Sequence, residues 1–218
     1  MKQPTKSKSG AVPVFDYKKE FKHLFSPSAG NPEIVDVPPL KYIMADGQGY
    51  PGTSQEFEEK VQLLYGLAYT LKFMMKKDLE SPFDFKVPPL SGLWYADDMA
   101  AFHDGGRKEE WKWTLMIMLP DRVTDEDVQR ASTELKKKKN PPILDMVNFK
   151  VYEEGRCAQV MHIGPYSEEA PTIQKLHTFF KEKGYDFNGH HHEIYLGDPR
   201  RSKPEQLKTI IRQPVKKV

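Results

Sequence analysis

Glu193 lies within the segment His191-His192-Glu193-Ile194-Tyr195-Leu196-Gly197-Asp198-Pro199, with a tyrosine two positions on. Side chains alternate across a strand, so Ile194 and Leu196 share one face while His191, Glu193 and Tyr195 share the other. An acid beside a phenol can hold a cation or move a proton. It can also simply meet water on the outer face of an antiparallel sheet, as most strand glutamates do. Spacing alone leaves these alternatives open.

Aromatic residues recur on the other strand-like segments: Trp94 and Tyr95 on one, Trp111 and Trp113 on the next, then Tyr152, and Tyr166 in a turn. Some of these rings must be core, but Trp94 and Tyr95 point to opposite faces, so not all can be. A sheet face with several rings and one carboxylate suits a flat amphipathic or cationic molecule, held by stacking and cation–π attraction. The same face would equally serve as an interface between subunits.

Other chemistry finds less support. There is no GxGxxG or Walker-type phosphate loop and no serine in GxSxG. In the triplet His190-His191-His192 only the first and third share a strand face, and neither HExxH nor a cysteine pair accompanies them, so no metal or other cofactor is expected. His162 and His177 are lone histidines on apolar elements and read as packing residues. The single cysteine, Cys157, opens an apolar strand and reads as a small buried thiol.

These residues need a scaffold, and hydrophobic periodicity supplies its outline. Residues 1–37 form a polar, proline-broken arm with a turn or two of helix between Phe15 and Phe25. A strand over 40–45 and a glycine-rich turn over 46–52 follow. Thr53 and Glu56 then look like a capping box for a long helix with Phe57, Val61, Leu64, Ala68, Leu71 and Met75 as its stripe. Strands are expected over 90–95 and 111–119, joined by a loop through Asp104-Gly105-Gly106. Thr124 caps a second helix with Val128, Ala131 and Leu135 inward, stopped before Asn140-Pro141-Pro142. Segments 146–153 and 157–163 look like a hairpin around Glu154-Gly155-Arg156. A third helix over 167–183 ends at Gly184, the Glu193 strand comes next, and a turn of helix is expected over 204–211.

The run Tyr42 to Gly47 with Tyr50 behind it is similar to Gln159 to Gly164 with Tyr166 behind it. That is a weak internal repeat of two βαββ halves, at about 38–120 and 121–218. The implied α+β fold is an antiparallel sheet with helices on one face. The expectation is then that Glu193 and its rings lie on the uncovered face.

Composition sets the bounds. The chain's 218 residues are 38% hydrophobic, with 12 Phe, 10 Tyr and 3 Trp, enough for a substantial core. A formal charge of +2 gives no global field to recruit nucleic acid or an anionic membrane. The basic run Lys136 to Lys139 fits a solvated helix end. One cysteine, a lysine-rich start and no run of ~20 apolar residues point to a soluble cytoplasmic protein without membrane contact.

Four segments taken in order carry a family resemblance: Gly92-Leu93-Trp94-Tyr95, Trp111 to Met118, His162-Ile163-Gly164-Pro165-Tyr166-Ser167, and His192 to Pro199. Over about residues 37–214 the chain resembles the GyrI-like small-molecule-binding proteins. The resemblance implies a duplicated βαββ domain with a ligand cleft between its halves, akin to effector-binding domains of multidrug-responsive activators. The helix-turn-helix of those activators has no room in the arm, so direct nucleic-acid binding is not expected.

In the activator domains a pocket glutamate receives cationic aromatic drugs, and Glu193 stands at the matching position. Certain stand-alone members hydrolyse the cyclopropane ring of DNA-alkylating natural products, using a glutamate and neighbouring aromatics. Carried over, this implies Glu193 and Tyr195 as catalytic candidates and Trp94, Tyr152 and Tyr166 as further ligand-binding ones. Two functions follow from the resemblance: binding of amphipathic or cationic aromatic molecules, and hydrolysis of cyclopropane-containing toxins as detoxification. A third, from another class, is a non-enzymatic dock on a macromolecule such as a topoisomerase, for which the near-equal 31 acidic and 33 basic residues offer no DNA-mimic surface.

Overall fold

The computed structural model describes residues 12–102, 106–139, 141 and 144–218. The expected loop through Asp104-Gly105 and the Asn140 and Pro142 helix stop lie outside the described residues. In chain order the elements are β1 (Val14–Phe15), α1 (Tyr17–Glu20), α2 (Lys22–Phe25), β2 (Glu33–Val37), β3 (Leu40–Gln48), α3 (Gln55–Lys76), β4 (Asp84–Phe85), β5 (Leu90–Tyr95), β6 (Lys112–Leu119), α4 (Asp125–Lys139), β7 (Asn148–Tyr152), β8 (Gly155–Ile163), α5 (Ala170–Glu182), β9 (Tyr185–Phe187), β10 (His191–Tyr195) and β11 (Lys208–Lys217).

Among the described residues one nine-stranded sheet runs β2-β8-β11-β10-β5-β6-β3-β7, with β9 paired to the outer part of β11. All its pairings are antiparallel. The units β3-α3-β5-β6 and β8-α5-β10-β11 are the two βαββ halves, and their strand orders mirror one another about the central β5–β10 pair. The duplicated α+β architecture is therefore the observed one.

Local chemistry explains the helices. At α4, Thr124 Oγ1 accepts from Asp127 N at 3.2 Å and Asp127 Oδ2 accepts from Thr124 N at 3.1 Å, a reciprocal cap. Its buried stripe is Val128, Ala131 and Leu135, as the periodicity requires. For α3 the cap is Ser54 rather than Thr53, its Oγ accepting from Phe57 N at 3.1 Å. Helix α5 begins at Ala170, after a single tight turn over Tyr166–Glu168, and ends before Gly184 at φ +73°.

Three expectations need correction. Segments β7 and β8 are not a hairpin: β7 pairs with β3, and β8 with β2 and β11. The turn residues mark a sharp change of direction, with Gly155 at φ +66°, but say nothing about which strands pair. Within 204–211 only Pro204–Gln206 is helical, and the chain continues as the ten-residue strand β11 inside the sheet. Pro214 hides that strand from a sequence reading, yet it sacrifices only a donor, because its carbonyl still accepts from Asn188 N at 2.9 Å.

The third correction concerns the faces. Helices α3 and α4 pack on Ile43, Trp94, Leu115 and Ile117, and α5 packs on Ala158, Val160 and Ile211. The alternate residues Tyr42, Leu93, Met116, Cys157, Ile194 and Ile210 form a second core under Tyr17, Leu24 and Phe25. Strand β2, within the stretch read as a polar arm, pairs with β8 at the sheet edge. The face away from the helices is thus covered by the N-terminal segment, and Glu193, out of phase with Ile194, belongs to the helix side.

A buried ionic cluster joins that segment to the sheet. Glu154 Oε1 is 2.8 Å from His192 Nδ1, and its Oε2 accepts from Arg212 Nη1 at 3.1 Å. Arg212 also donates to Gln159 Oε1 and, at 2.8 Å, to the Leu24 carbonyl, while Gln159 Nε2 donates to the His23 carbonyl at 2.7 Å. Burial alone would raise the Glu154 carboxyl, but the attraction of His192 and Arg212 outweighs it and brings it down to about 2. Arg212→Met strands that negative charge, and a loss of about 3–5 kcal/mol is expected in urea unfolding. A change below about 1 kcal/mol would show that the cluster does not hold the segment down.

Candidate functional site

The central pair β5–β10 sets the site. Its register places Glu193 opposite Gly92 on one side and Ile211 on the other. A Cβ at Gly92 would lie 3.2 Å from Trp94 Nε1 and 3.4 Å from the Tyr195 hydroxyl, so the bare backbone leaves room for those two groups to meet. Trp94 Nε1 donates to the Tyr195 hydroxyl at 3.0 Å, and that hydroxyl donates to Glu193 Oε2 at 2.9 Å. His191 Nε2 lies 3.2 Å from Glu193 Oε1. Burial, reinforced by the charge of Glu193, holds the Tyr195 phenol well above its ordinary range, so it remains a donor.

Rings enclose this chain of hydrogen bonds. Phe57 of α3 stacks beside Trp94 at 6.4 Å and 26°, Trp111 meets Trp94 edge-on, and Tyr166 packs edge-on against Tyr195 at 5.6 Å. The open cavity they line, between α3 and α5, has a volume of about 2270 Å³. Pockets for drug-sized ligands measure roughly 300–1,000 Å³, so this opening is large enough to admit one.

Glu169, immediately before α5, lines the same cavity and is 5% exposed. Its Oε1 is buried without a hydrogen-bond partner among the described residues. Burial first, then the neighbouring charge of Glu193, raises the Glu169 carboxyl to about 9, so it carries a proton at neutral pH. The cavity therefore pairs one protonated carboxyl with a second that receives the Tyr195 hydrogen bond. A carboxyl that keeps its proton beside a second carboxyl is the arrangement that supports acid and base work in one site.

Of the residues picked out in the sequence, Glu193, Tyr195, Trp94 and Tyr166 converge here. Tyr152 does not: it packs edge-on against Tyr42 at 6.4 Å on the opposite face, under the N-terminal segment. The parity of β7 is set by its pairing of Tyr152 with Leu40, which a lone strand cannot reveal. The three histidines separate, with His190 stacked on Tyr95 at 4.3 Å, His191 against Glu193, and His192 on the far face with Glu154. Cys157 is fully buried, and burial pushes its thiol up, away from reactivity. His162 is held by Thr172 Oγ1 at 3.0 Å, and His177 packs against Phe180 and Phe187. Glu169 was missed because Glu168-Glu169 at a helix start looks like dipole-complementing surface charge. Its signal was proximity to Tyr166, three residues earlier.

An α+β domain with mirrored halves and a ring-lined, carboxyl-bearing cavity between helices is built as a small-molecule-binding domain. The model for the GyrI-like small molecule binding domain matches residues 30–216, and the chain belongs to that family. A conserved protein from Listeria innocua, described as uncharacterized, is 39% identical with a TM-score of 0.85, covering 93% of this chain and 100% of its own. A hydrolase from Listeria innocua is 38% identical with a TM-score of 0.80 over the same shares of the two chains. The EcmrR C-terminal domain, 13% identical with a TM-score of 0.53 over 86% of this chain and 98% of its own, shares the fold. No curated protein matches.

The Glu169 shift has a sign that can be checked. Between the ordinary 4.5 and about 9 the native state holds a proton that the unfolded state has lost, so stability falls as pH rises through that interval. Glu169→Gln has no such proton. Its stability relative to wild type is expected to grow by about 1–3 kcal/mol between about pH 5 and about pH 9 in urea titrations. A pH-independent difference would show that neither burial nor Glu193 raises the Glu169 carboxyl.

Proposed function

We propose that this domain binds cationic or amphipathic aromatic molecules in the cavity between α3 and α5, and adds water to cyclopropane-containing electrophiles held there. The observation that carries the proposal is the carboxyl pair, Glu169 with its proton and Glu193 with Tyr195 as donor, beside Trp94 in a ring-lined cavity. A hydrolase among the structures 37–38% identical to this chain supports the chemistry. The concave setting of the rings weighs against a macromolecular dock, which calls for a flat exposed patch. No helix among the described residues is long and apolar enough to cross a membrane, and we place the activity in the cytoplasm, where alkylating toxins threaten DNA.

For a spiro-cyclopropane conjugated to a carbonyl, the step balances as follows. Glu193 takes a proton from a water molecule as the water oxygen bonds to the ring CH₂. The ring C–C bond breaks and its electron pair runs through the conjugated system to the carbonyl oxygen, which takes the proton of Glu169. The product is a phenol bearing a new alcohol, and transfer of the proton from Glu193 to Glu169 resets the pair. Trp94 and Tyr166 hold the planar body, and Tyr195 fixes the orientation of Glu193.

Incubation with a spiro-cyclopropyl dienone is expected to yield the ring-opened product, heavier by one water, by mass spectrometry. Glu193→Gln is expected to slow this by about 100-fold or more. Intact compound recovered from wild type overturns hydrolysis. Binding is tested separately: Glu193→Gln is expected to weaken a cationic dye by about tenfold, and a neutral dye of the same shape far less. Equal losses would remove charge from the recognition.

A further inference from the structure

Outside the central cavity, α3 carries Tyr65, Tyr69 and Phe73 at four-residue intervals, on one stripe of the helix. Successive rings are nearly parallel, at 29° and 25°, with centroids 6.4 and 6.3 Å apart. Tyr69 is 47% and Phe73 51% exposed, whereas Tyr65 is partly buried and fixed by its hydroxyl, which accepts from Leu90 N at 3.1 Å. Two exposed rings thus run on in a row from a partly buried one, an apolar strip of the kind that marks a contact site.

Two observations bear on what it contacts. Tyr65 and Tyr69 line both the central cavity and a second groove of about 1330 Å³ between α3 and α4, so the ladder leads out of the Glu169/Glu193 site into that groove. Gly66 also lines the groove. A Cβ there would touch Leu135 only at an ordinary 3.7 Å, so packing does not demand the glycine, which is unfavourable inside a helix. Its absent side chain leaves the groove floor bare beside the rings. The groove is also lined by Lys77, Arg130, Lys137 and Lys138, with Glu126 and Glu134 among them.

We propose that Tyr65, Tyr69 and Phe73 form a second subsite, which takes the distal planar unit of an elongated polyaromatic ligand whose first unit occupies the Glu169/Glu193 cavity. The subsite rests on the binding half of the proposed function, not on hydrolysis. It binds by ring contact along the ladder. The central cavity supplies charge recognition and the ladder supplies length selection.

The test compares a bis-benzimidazole dye with its single-benzimidazole fragment by fluorescence titration. Wild type is expected to bind the longer probe at least tenfold more tightly. Phe73→Ala, whose side chain is exposed and lines only the outer groove, is expected to weaken the long probe about threefold and leave the fragment unchanged. Tyr69→Ala with Phe73→Ala is expected to weaken the long probe about tenfold or more. Equal affinity of wild type for both probes overturns the subsite while leaving the pocket intact, as does a long probe indifferent to both substitutions. Loss of fragment binding in Phe73→Ala also overturns it, since the ring would then act on the pocket. If the double variant instead loses binding to oligo-dT, or loses self-association in sedimentation, with the dyes unaffected, the ladder belongs to a macromolecular contact and the proposal falls. Failure of wild type to bind either dye removes the subsite and the pocket reading together.

Discussion

Strand alternation along β10 is the constraint on which the rest depends. Three consecutive residues carry polar side chains, and the pleat sends them to opposite sides of the sheet: His192 into the buried cluster with Glu154 and Arg212, His191 and Glu193 into the cavity. The far side is shut off from water, whereas the cavity side keeps a partial opening. On the far side an arginine and a histidine satisfy a carboxylate outright. On the cavity side Glu193 meets the Tyr195 phenol and the His191 imidazole, with no arginine or lysine among the hydrogen-bond partners described and a second carboxyl nearby. One strand therefore separates a closed ionic cluster from an electrostatically unfinished one, and the unfinished one is where a ligand can contribute.

The mirrored halves explain why the unfinished side lies at the centre. Helices α3 and α5 belong to different halves and cover different strands, leaving the β5–β10 seam between them. Gly92 and the Trp94–Tyr195 hydrogen bond then lie at the floor of the gap, and Glu169 comes to its edge from the start of α5. The cavity is a consequence of the duplication, which sets equivalent helices on either side of the seam, while both carboxyls come from the second half alone.

Much of this was legible in the sequence where the signal is local. The stripe Val128, Ala131 and Leu135, the Thr124 cap and the bounds of the strand ending in Tyr95 depend only on near neighbours. The shared face of Glu193 and Tyr195 follows from their spacing. What escaped depends on partners far along the chain. The face that Tyr152 presents is set by Leu40, the burial of Glu169 by Glu193 and the cavity, and the strand nature of residues 208–217 by flanking strands that tolerate Pro214. The covering role of Tyr17, Leu24 and Phe25 was hidden among lysines and prolines whose polarity dominates the local average.

Strand β11 lies between β8 and β10, although it follows both of them in the chain. Its two neighbours therefore cannot pair with each other beforehand; they must wait, edges unpaired, for a segment that arrives later. The other half closes the same way, with β6 entering between β3 and β5 after both, so each half is completed by its last strand. Exposed strand edges during that wait are the points where a second chain can add on. The floor of the ligand cavity is built on β5 and β10, and each of these is thus flanked on its outer side by the strand that follows it in the chain.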